Sequence, residues 1–143
     1  MRALVTGAGS GIGDAVARRL TDDGYDVTVA DLDPHAVAEE LGATAVVLDV
    51  REEASVAPAM AGVDLLVNVA GIGSTTNAPD TPLEVWEDVF AVNTRGTFLC
   101  CKHAIPGMRE RGGGSIVNVA SIAGLVGLRN RAAYCASKGA VVA

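Results

Sequence analysis

Short apolar runs alternate along the chain with segments whose apolar residues recur at helical spacing. The runs are rich in Val, Leu and Ala and are bounded by Gly, Asp or Asn, which is typical of buried strands. Five strands are predicted, at residues 2–5, 25–30, 44–48, 64–68 and 115–119. Helices are predicted at residues 14–20, 34–41, 52–60, 82–90 and 93–111, and a last one begins near residue 131.

Strands that are apolar throughout and are separated by helices indicate a parallel sheet covered on both faces, with right-handed crossovers. The predicted fold class is therefore α/β, a doubly wound parallel sheet of the Rossmann type with three layers, in a single domain over residues 1–143. Ligands of such sheets bind at the carboxyl ends of the strands. The residues that directly follow each strand are thus the candidates for function.

The fourth helix carries a start signal and an apolar face. Thr81 is predicted as its N-cap and Pro82 as its first helical residue. Trp86, Val89 and Phe90 recur on one face of this helix. They predict either a contact with the core or a contact between subunits.

Charge and composition exclude several kinds of partner. The formal net charge is −6 and the acidic residues are scattered, so we expect no nucleic-acid partner. The apolar runs are too short to cross a bilayer and no signal peptide is recognisable, so we expect a cytoplasmic protein with no membrane partner. The three cysteines and two histidines lack metal-ligand spacing, and no metal is expected.

The segment from Gly7 to Gly13 connects the first strand to the first helix with the glycine spacing G-x-x-x-G-x-G. Glycine permits tight turns and a close approach to the main chain, and the first N–H groups of a helix lack intrahelical partners. Such a turn, here including Ser10, Gly11 and Ile12, suits a diphosphate group. An ordinary strand-to-helix turn is the alternative interpretation.

Two carboxylates follow the second and third strands. Asp31 is placed to accept hydrogen bonds from both hydroxyls of an adenosine ribose, and it would repel a 2′-phosphate. Because Leu32 rather than Arg follows it, NAD is predicted as the preferred cofactor over NADP. A solvated helix-capping role is the alternative for Asp31. Asp49, followed by Val50, is predicted to face the adenine edge.

Tyr134 and Lys138 are one helical turn apart, so their side chains project from the same face of the last helix. A phenol is a poor base at neutral pH because its pKa is about 10. A nearby cation favours the phenolate and brings proton transfer within reach. Ser121, at the end of the fifth strand, could donate a hydrogen bond to the same substrate oxygen.

These features occur together in one order along the chain. The order is the glycine turn, Asp31, Asn68-x-Ala70-Gly71, Asn93, Ser121 and Tyr134-x-x-x-Lys138. In this combination the sequence resembles the short-chain dehydrogenase/reductase family over its whole length.

The resemblance implies a role for each of these residues. Ser121 would orient and polarise the substrate, Tyr134 would be the general acid/base, and Lys138 would bind the nicotinamide ribose and lower the Tyr134 pKa. Asn93 would hold a water molecule in a proton relay. Asn68, Ala70 and Gly71 are similar to a family stretch that steadies the central sheet beside the cofactor, and Val69 replaces its second Asn.

The implied function is an NAD-dependent oxidoreductase that transfers a hydride between the nicotinamide and a secondary alcohol or ketone. The alternatives are a non-catalytic, truncated dinucleotide-binding module and, on the same scaffold, an epimerase or dehydratase. Family members usually form dimers or tetramers through the long helix and the helix of Tyr134, so a homo-oligomer is expected if the full-length chain exists. The chain ends inside the helix of Tyr134 with five of the seven strands usual in the family, and we expect a domain that is incomplete at its C-terminus.

Overall fold

A computed structural model describes residues 1–143, and its strands alternate with helices as the apolar runs predict. The strands are β1 Arg2–Thr6, β2 Asp26–Asp31, β3 Thr44–Val47, β4 Leu65–Asn68 and β5 Ser115–Asn118. The helices are α1 Gly11–Asp22, α2 His35–Leu41, α3 Glu53–Ala59, α4 Leu83–Phe90, α5 Thr97–Glu110 and α6 Ala132–Val142.

All five strands are parallel and form one sheet in the order β3-β2-β1-β4-β5. The chain moves outward from β1 through β2 to β3 and then returns to β4 on the other side of β1. Thr6, the last residue of β1, is aligned with Ala30 on β2 and with Asn68 on β4. The strand order thus reverses between β1 and β4, which is where sheets of this kind open a crevice for a ligand.

The hydrophobic core has two parts, one on each face of the sheet. Leu4 and Leu66 point to the face covered by α3 and α5, where they pack with Cys100. Their neighbours Val5 and Val67 point to the opposite face, which α1 and α2 cover. Successive residues of a strand alternate between faces, so two covered faces require strands that are apolar at every position. The doubly wound α/β fold predicted from the sequence is confirmed.

Helices α4 and α5 are joined by a π-helical segment, Ala91–Gly96, so the helical backbone runs from Leu83 to Glu110 without a break. A π-helical turn holds more residues than an α-helical turn and often occurs at functional sites. Asn93, one of the predicted catalytic residues, lies in this segment and is fully buried. Helix α6 packs against α4 and against the π-helical segment.

The predicted start of α4 is wrong. Helix α4 begins at Leu83, and Pro82 precedes it with an extended ψ of 145°. The hydroxyl of Thr81 does not cap the helix because it donates to the carbonyl of Asn77 at 2.5 Å and lies 2.8 Å from the hydroxyl of Thr76. The Thr81 hydroxyl, which was predicted to cap α4, is therefore hydrogen bonded within the preceding turn.

The predicted apolar face of α4 is divided between the core and the surface. Val89 is buried, whereas the rings of Trp86 and Phe90 stack on each other with centroids 4.7 Å apart. None of the helices is long and apolar enough to cross a membrane.

Candidate functional site

The glycine turn packs backbone against backbone. Gly7 has a φ of 67°, and a Cβ atom there would lie 2.7 Å from the main chain of Ala70, just beyond β4. A Cβ atom on Gly13 would overlap the carbonyl oxygen of Gly7. Side chains at either position would therefore separate β1, α1 and the end of β4. Glycine is required here by contact distance as well as by backbone conformation.

The turn leaves the first N–H groups of α1 without partners. Ser10 precedes the helix in an extended conformation and its side chain makes no capping hydrogen bond. The first N–H group that is bonded within the helix is that of Asp14, which donates to the carbonyl of Ser10 at 3.1 Å. The preceding N–H groups are free, and with the positive end of the helix dipole they form a site for an anion.

Thr6 connects the ends of β1 and β4. Its buried hydroxyl accepts hydrogen bonds from the backbone N–H groups of Val69 at 3.1 Å and Ala70 at 3.2 Å. This link fixes the segment after β4 beside the glycine turn. The sequence did not reveal this role, because the partners of Thr6 are more than sixty residues away along the chain.

A cleft of about 490 Å³ opens at the carboxyl ends of the strands, where the strand order reverses. We call it the β1–β4 cleft. The predicted cofactor-binding residues that line it are Gly7, Ser10, Gly11, Ile12, Gly13, Asp31, Leu32, Asp49, Val50, Ala70 and Gly71. Its other lining residues are Leu48, Arg51, Val69, Ile72, Asp88 and Val92. Motifs from four separate strand ends thus meet in one cleft.

Asp31 lies in the wall of the cleft and contacts the glycine turn. Its Oδ2 atom accepts the N–H of Gly9 at 2.9 Å, and its Oδ1 atom accepts the N–H of Asp33 at 3.3 Å. Each carboxylate oxygen can accept two hydrogen bonds, so capacity for a ligand hydroxyl remains. The residue therefore supports the turn and also offers acceptors to the cleft.

Asp49 also lines the cleft, where it pairs with Arg51. The Nη2 atom of Arg51 lies 2.8 Å from Asp49 Oδ2, and its Nε atom lies 3.0 Å from Oδ1. The hydrogen bonds from the Arg51 side chain hold the pKa of Asp49 below its usual value, against the effect of partial burial. Asp49, which is predicted to face the adenine edge, is thus already paired with a cation. No sequence motif pointed to Arg51.

Asn68 does not line the cleft. Its side chain is buried, and its Nδ2 atom donates to Asn118 on β5 at 2.9 Å and contacts the sulfur of Cys101 at 3.5 Å. The side chain therefore connects β4 to β5, beneath the segment that forms the wall. Its Oδ1 atom has no hydrogen-bond partner within the protein.

Three of the predicted catalytic residues, Ser121, Tyr134 and Lys138, lie beyond the end of β5. Lys138 on α6 is buried, and its Nζ atom donates to the carbonyl of Val119 at 2.8 Å. Burial lowers the pKa of Lys138. Ser121 follows β5 and accepts the N–H of Ala123 at 3.2 Å, so its hydroxyl caps a short turn of 3-10 helix. Tyr134 is half-buried one turn before Lys138.

The backbone of α6 lies directly against this turn. A Cβ atom on Gly124 would lie 2.6 Å from the carbonyl oxygen of Lys138. The structure thus brings the helix of Tyr134 and Lys138 to the segment that carries Ser121. The side chains of Ser121 and Tyr134 are not hydrogen bonded to each other.

Asn93 connects the cofactor side of the site to α6. Its Oδ1 atom accepts the N–H of Ile72 at 2.8 Å, and its Nδ2 atom donates to the carbonyl of Ile72 at 2.9 Å and to the hydroxyl of Ser137 at 3.0 Å. Ile72 directly follows Gly71 in the cleft wall, and Ser137 directly precedes Lys138. One buried amide therefore positions both segments, and the contribution of Ser137 was not predicted from the sequence.

A family model for short chain dehydrogenases matches residues 1–143. The chain belongs to the short-chain dehydrogenase family. The resemblance read from the motifs is therefore confirmed. The chain spans about 60% of the length of the curated relatives it matches.

Two relatives within the family illustrate its range. One, from Xanthobacter autotrophicus, is named inactive 2-(S)-hydroxypropyl-CoM dehydrogenase 2 and is 45% identical, over 89% of this chain and 60% of its own. The other, from a Sphingomonas species, is named 2-dehydro-3-deoxy-L-rhamnonate dehydrogenase (NAD(+)) and is 41% identical, over 98% of this chain and 61% of its own.

A solved structure described as ribose-5-phosphate isomerase from Brucella melitensis has the same fold. It superposes on this chain with a TM-score of 0.93 and is 41% identical in sequence. The match covers 99% of this chain and 59% of the neighbour's chain. The name of this neighbour denotes an isomerase, whereas both relatives above are named as dehydrogenases. Because one fold can carry several chemistries, the reaction has to be argued from the residues of the site.

Replacing Thr6 with Val removes the acceptor for two buried N–H groups and keeps the shape of the side chain. We expect Thr6→Val to lower the free energy of unfolding by about 1–3 kcal/mol, measured by urea denaturation. Thr28→Val is the matched control, because Thr28 is a buried residue of β2 whose hydroxyl holds no backbone N–H group. An equal loss in both variants would show that the Thr6 hydrogen bonds contribute nothing specific.

Proposed function

We propose that this chain is the cofactor-binding and catalytic part of an NAD-dependent oxidoreductase that acts on a secondary alcohol or ketone. The observation that carries the proposal is the placement of free helix N–H groups and the carboxylate of Asp31 in one cleft. A dinucleotide requires both features, because it has a diphosphate and an adenosine ribose. Support of the turn uses one acceptor of Asp31, for the N–H of Gly9, and does not use the free helix N–H groups.

The residues of the β1–β4 cleft fit this cofactor. The N–H groups of Gly11, Ile12 and Gly13 would bind the pyrophosphate, and Asp31 would accept from the ribose hydroxyls. The same carboxylate would repel a 2′-phosphate, which supports NAD over NADP. The Sphingomonas relative has NAD(+) in its name, which agrees with this choice.

The chemical step is assigned to the residues beyond β5. The bound nicotinamide supplies a hydride acceptor or donor. Tyr134 moves the proton at the substrate oxygen, as general base in oxidation and as general acid in reduction. Ser121 donates a hydrogen bond to the same oxygen and so fixes the orientation of the substrate.

Lys138 and Asn93 support the proton transfer in different ways. Lys138, one helical turn after Tyr134, is proposed to bind the nicotinamide ribose with its ammonium group. Asn93 is proposed to hold a water molecule in a proton relay, and its side-chain amide keeps Ser137, and with it α6, in position.

A second candidate function is a dinucleotide-binding module without turnover. One relative, from Xanthobacter autotrophicus, is named as an inactive dehydrogenase, which supports a family member without turnover as a candidate. Binding assays and turnover assays separate the two candidates, because both require the cleft and only the enzyme requires Tyr134. An epimerase or dehydratase on this scaffold is a weaker candidate, since Ser121 and the short loops suit simple small substrates.

Tyr134→Phe removes the proton-transferring hydroxyl and leaves the ring in place. We expect turnover of secondary alcohols, followed as NADH formation at 340 nm, to fall at least about 100-fold. We expect the Kd for NAD, measured by isothermal titration calorimetry, to change less than about threefold.

Tyr25→Phe is the matched control for this experiment, because Tyr25 lies just before β2 at the opposite end of the sheet. It should retain both turnover and NAD binding. Turnover that survives in Tyr134→Phe would contradict the assigned acid/base. If the unaltered protein binds NAD tightly but turns over no alcohol in a broad panel, the non-catalytic dinucleotide-binding module is favoured.

Asp31→Ala tests the cofactor preference. We expect the ratio of the Kd values for NADP and NAD to fall at least about tenfold, because the repulsion of the 2′-phosphate and the hydrogen bonds to the ribose are both lost. Asp26→Ala, at the other end of β2, removes the same charge far from the cleft and should leave the ratio unchanged. A similar shift in both variants would mean that net charge, rather than a contact at the ribose, sets the preference.

We infer that the protein forms a homo-oligomer, a dimer or tetramer, through the outer face of α4 and α5. A groove there is lined by Trp86, Phe90 and Phe98, and Phe98 is 61% exposed. Charged residues of both signs, Glu87 and Arg95, border it. An aromatic patch with a mixed polar rim is typical of protein–protein contacts.

Phe98→Glu places a charge in this patch and should shift the protein to a smaller species. The measurement is size-exclusion chromatography with light scattering. Val47→Glu, on the edge strand β3, is the control, because Val47 is 60% exposed and lies outside the groove. An unchanged mass for Phe98→Glu, or a protein that is monomeric before substitution, would rule out this interface.

A further inference from the structure

Charge is distributed unevenly between the two ends of the site. The protein has 17 acidic residues and a net charge of −6, yet residues 112–143 contain no acidic residue and include Arg129, Arg131 and Lys138. By contrast, most of the charged side chains that line the β1–β4 cleft are acidic. The end of the site that carries Tyr134 is therefore locally positive on an acidic protein, which favours an anionic ligand there.

Tyr134 lies between two cations along α6. Arg131 directly precedes this helix, and its spacing from Tyr134 and Lys138 brings the three side chains to one face. A Cβ atom on Gly71 would lie 3.4 Å from Lys138 Nζ, and a Cβ atom on Gly73 would lie 3.5 Å from Arg131 Nη1. Gly71 lines the β1–β4 cleft and Gly73 does not. Arg131 is thus on the side of the phenol that faces away from the cofactor cleft.

Most of the donors of Arg131 have no partner within the protein. The side chain is partly buried, and its Nη1 atom donates to the carbonyl of Ser74 at 3.3 Å. No Asp or Glu side chain forms an ion pair with it. Residues 65–79, which include Ser74, contain no charged residue. A guanidinium group has five N–H donors in a planar fork that matches the oxygens of a carboxylate, so Arg131 can still bind an anion.

The position of Arg131 limits how far that anion can lie from the reacting carbon. Three residues of α-helix span only about 4.5 Å, so a group bound to Arg131 would be separated from a carbon held at Tyr134 by roughly two to four bonds. A small substrate can therefore contact both side chains at once.

We propose that Arg131 binds an oxyanionic group of the substrate, so that the site acts on hydroxy acids, or the matching keto acids, in preference to neutral alcohols. The inference rests on the proposed oxidoreductase function and narrows its substrate class. Carboxylates, phosphonates and sulfonates all present oxygens that a guanidinium group can bind through parallel hydrogen bonds. The oxyanion does not react, since the carbinol gives its hydride to NAD and its hydroxyl proton to Tyr134.

A purely structural role for Arg131 predicts a different result. Its hydrogen bond to Ser74 connects the start of α6 to the segment after β4 whatever the charge of the substrate. Loss of that hydrogen bond would lower the turnover of charged and neutral substrates alike. The ratio of kcat/KM between a hydroxy acid and its neutral analogue therefore separates the two roles.

The experiment compares lactate, 3-hydroxybutyrate and 4-hydroxypentanoate each with its amide, which has a similar shape and no charge. Two further probes, 2-hydroxypropylphosphonate and 2-hydroxypropanesulfonate, are compared with 3-hydroxybutyramide and show which oxyanion is preferred. The readout is kcat/KM from NADH formation at saturating NAD. We expect the unaltered protein to prefer at least one acid over its neutral analogue by about tenfold or more.

Three variants assign the preference to the guanidinium group. In Arg131→Met the ratio should fall to within about twofold, mainly through a higher KM for the acid. Arg131→Lys keeps the charge but loses the fork and should show an intermediate ratio. Arg129→Met removes the same charge from an exposed residue of the same loop and should keep the original ratio. Kd values for acid and amide in the presence of NADH, from isothermal titration calorimetry, give the same ratio for a variant that loses turnover.

The outcomes distinguish this inference from the function on which it rests. Turnover of neutral alcohols without a preference for any acid would overturn the inference alone. A preference that persists in Arg131→Met, or an equal fall of the ratio in Arg129→Met, would also overturn it. An equal loss for acid and amide in Arg131→Met would assign Arg131 to the structural role instead. Failure of the unaltered protein to turn over or bind any probe would refute the oxidoreductase function and the inference together.

Discussion

The close backbone contact between the glycine turn and the end of β4 is the constraint on which the site depends. Because Gly7 has no side chain, the turn can lie against the main chain of Ala70. The hydroxyl of Thr6 accepts hydrogen bonds from the N–H groups of Val69 and Ala70, which follow the end of β4. This contact directs the start of α1 toward the point where the strand order reverses. Helix dipole, free N–H groups and the Asp31 carboxylate converge there for this reason.

A second connection couples the two halves of the site. Ile72 lies in the cleft wall, and the side chain of Asn93 links it by hydrogen bonds to Ser137, the residue before Lys138 on α6. The amide of Asn93 is fully buried, so losing either partner would leave a polar group without compensation. The position of the cleft wall and the position of α6 are therefore not independent in this protein.

Much of the fold and of the cleft could be predicted because the relevant signals are local. Apolar runs, glycine spacing and the Tyr134-x-x-x-Lys138 pair each occupy a few consecutive residues. Long-range pairing was not predictable, as with Thr6, whose partners follow β4. The cap assigned to Thr81 failed for a related reason, since a hydroxyl that can cap a helix can equally bond to the preceding turn. Arg51 carries no sequence signal of its own, because its place in the cleft depends on its pairing with Asp49.

The π-helical segment Ala91–Gly96 sets the rotational phase between two helices that share one backbone. Asp88, before the segment, and Val92, within it, line the cleft, whereas Leu99 and Cys100, after it, pack in the core beside the sheet. Each residue of an α-helix turns the chain by about 100°. Deleting one residue here would rotate one helix against the other and move an entire face out of contact. The number of residues in this segment therefore determines which faces of α4 and α5 meet the cleft and the sheet.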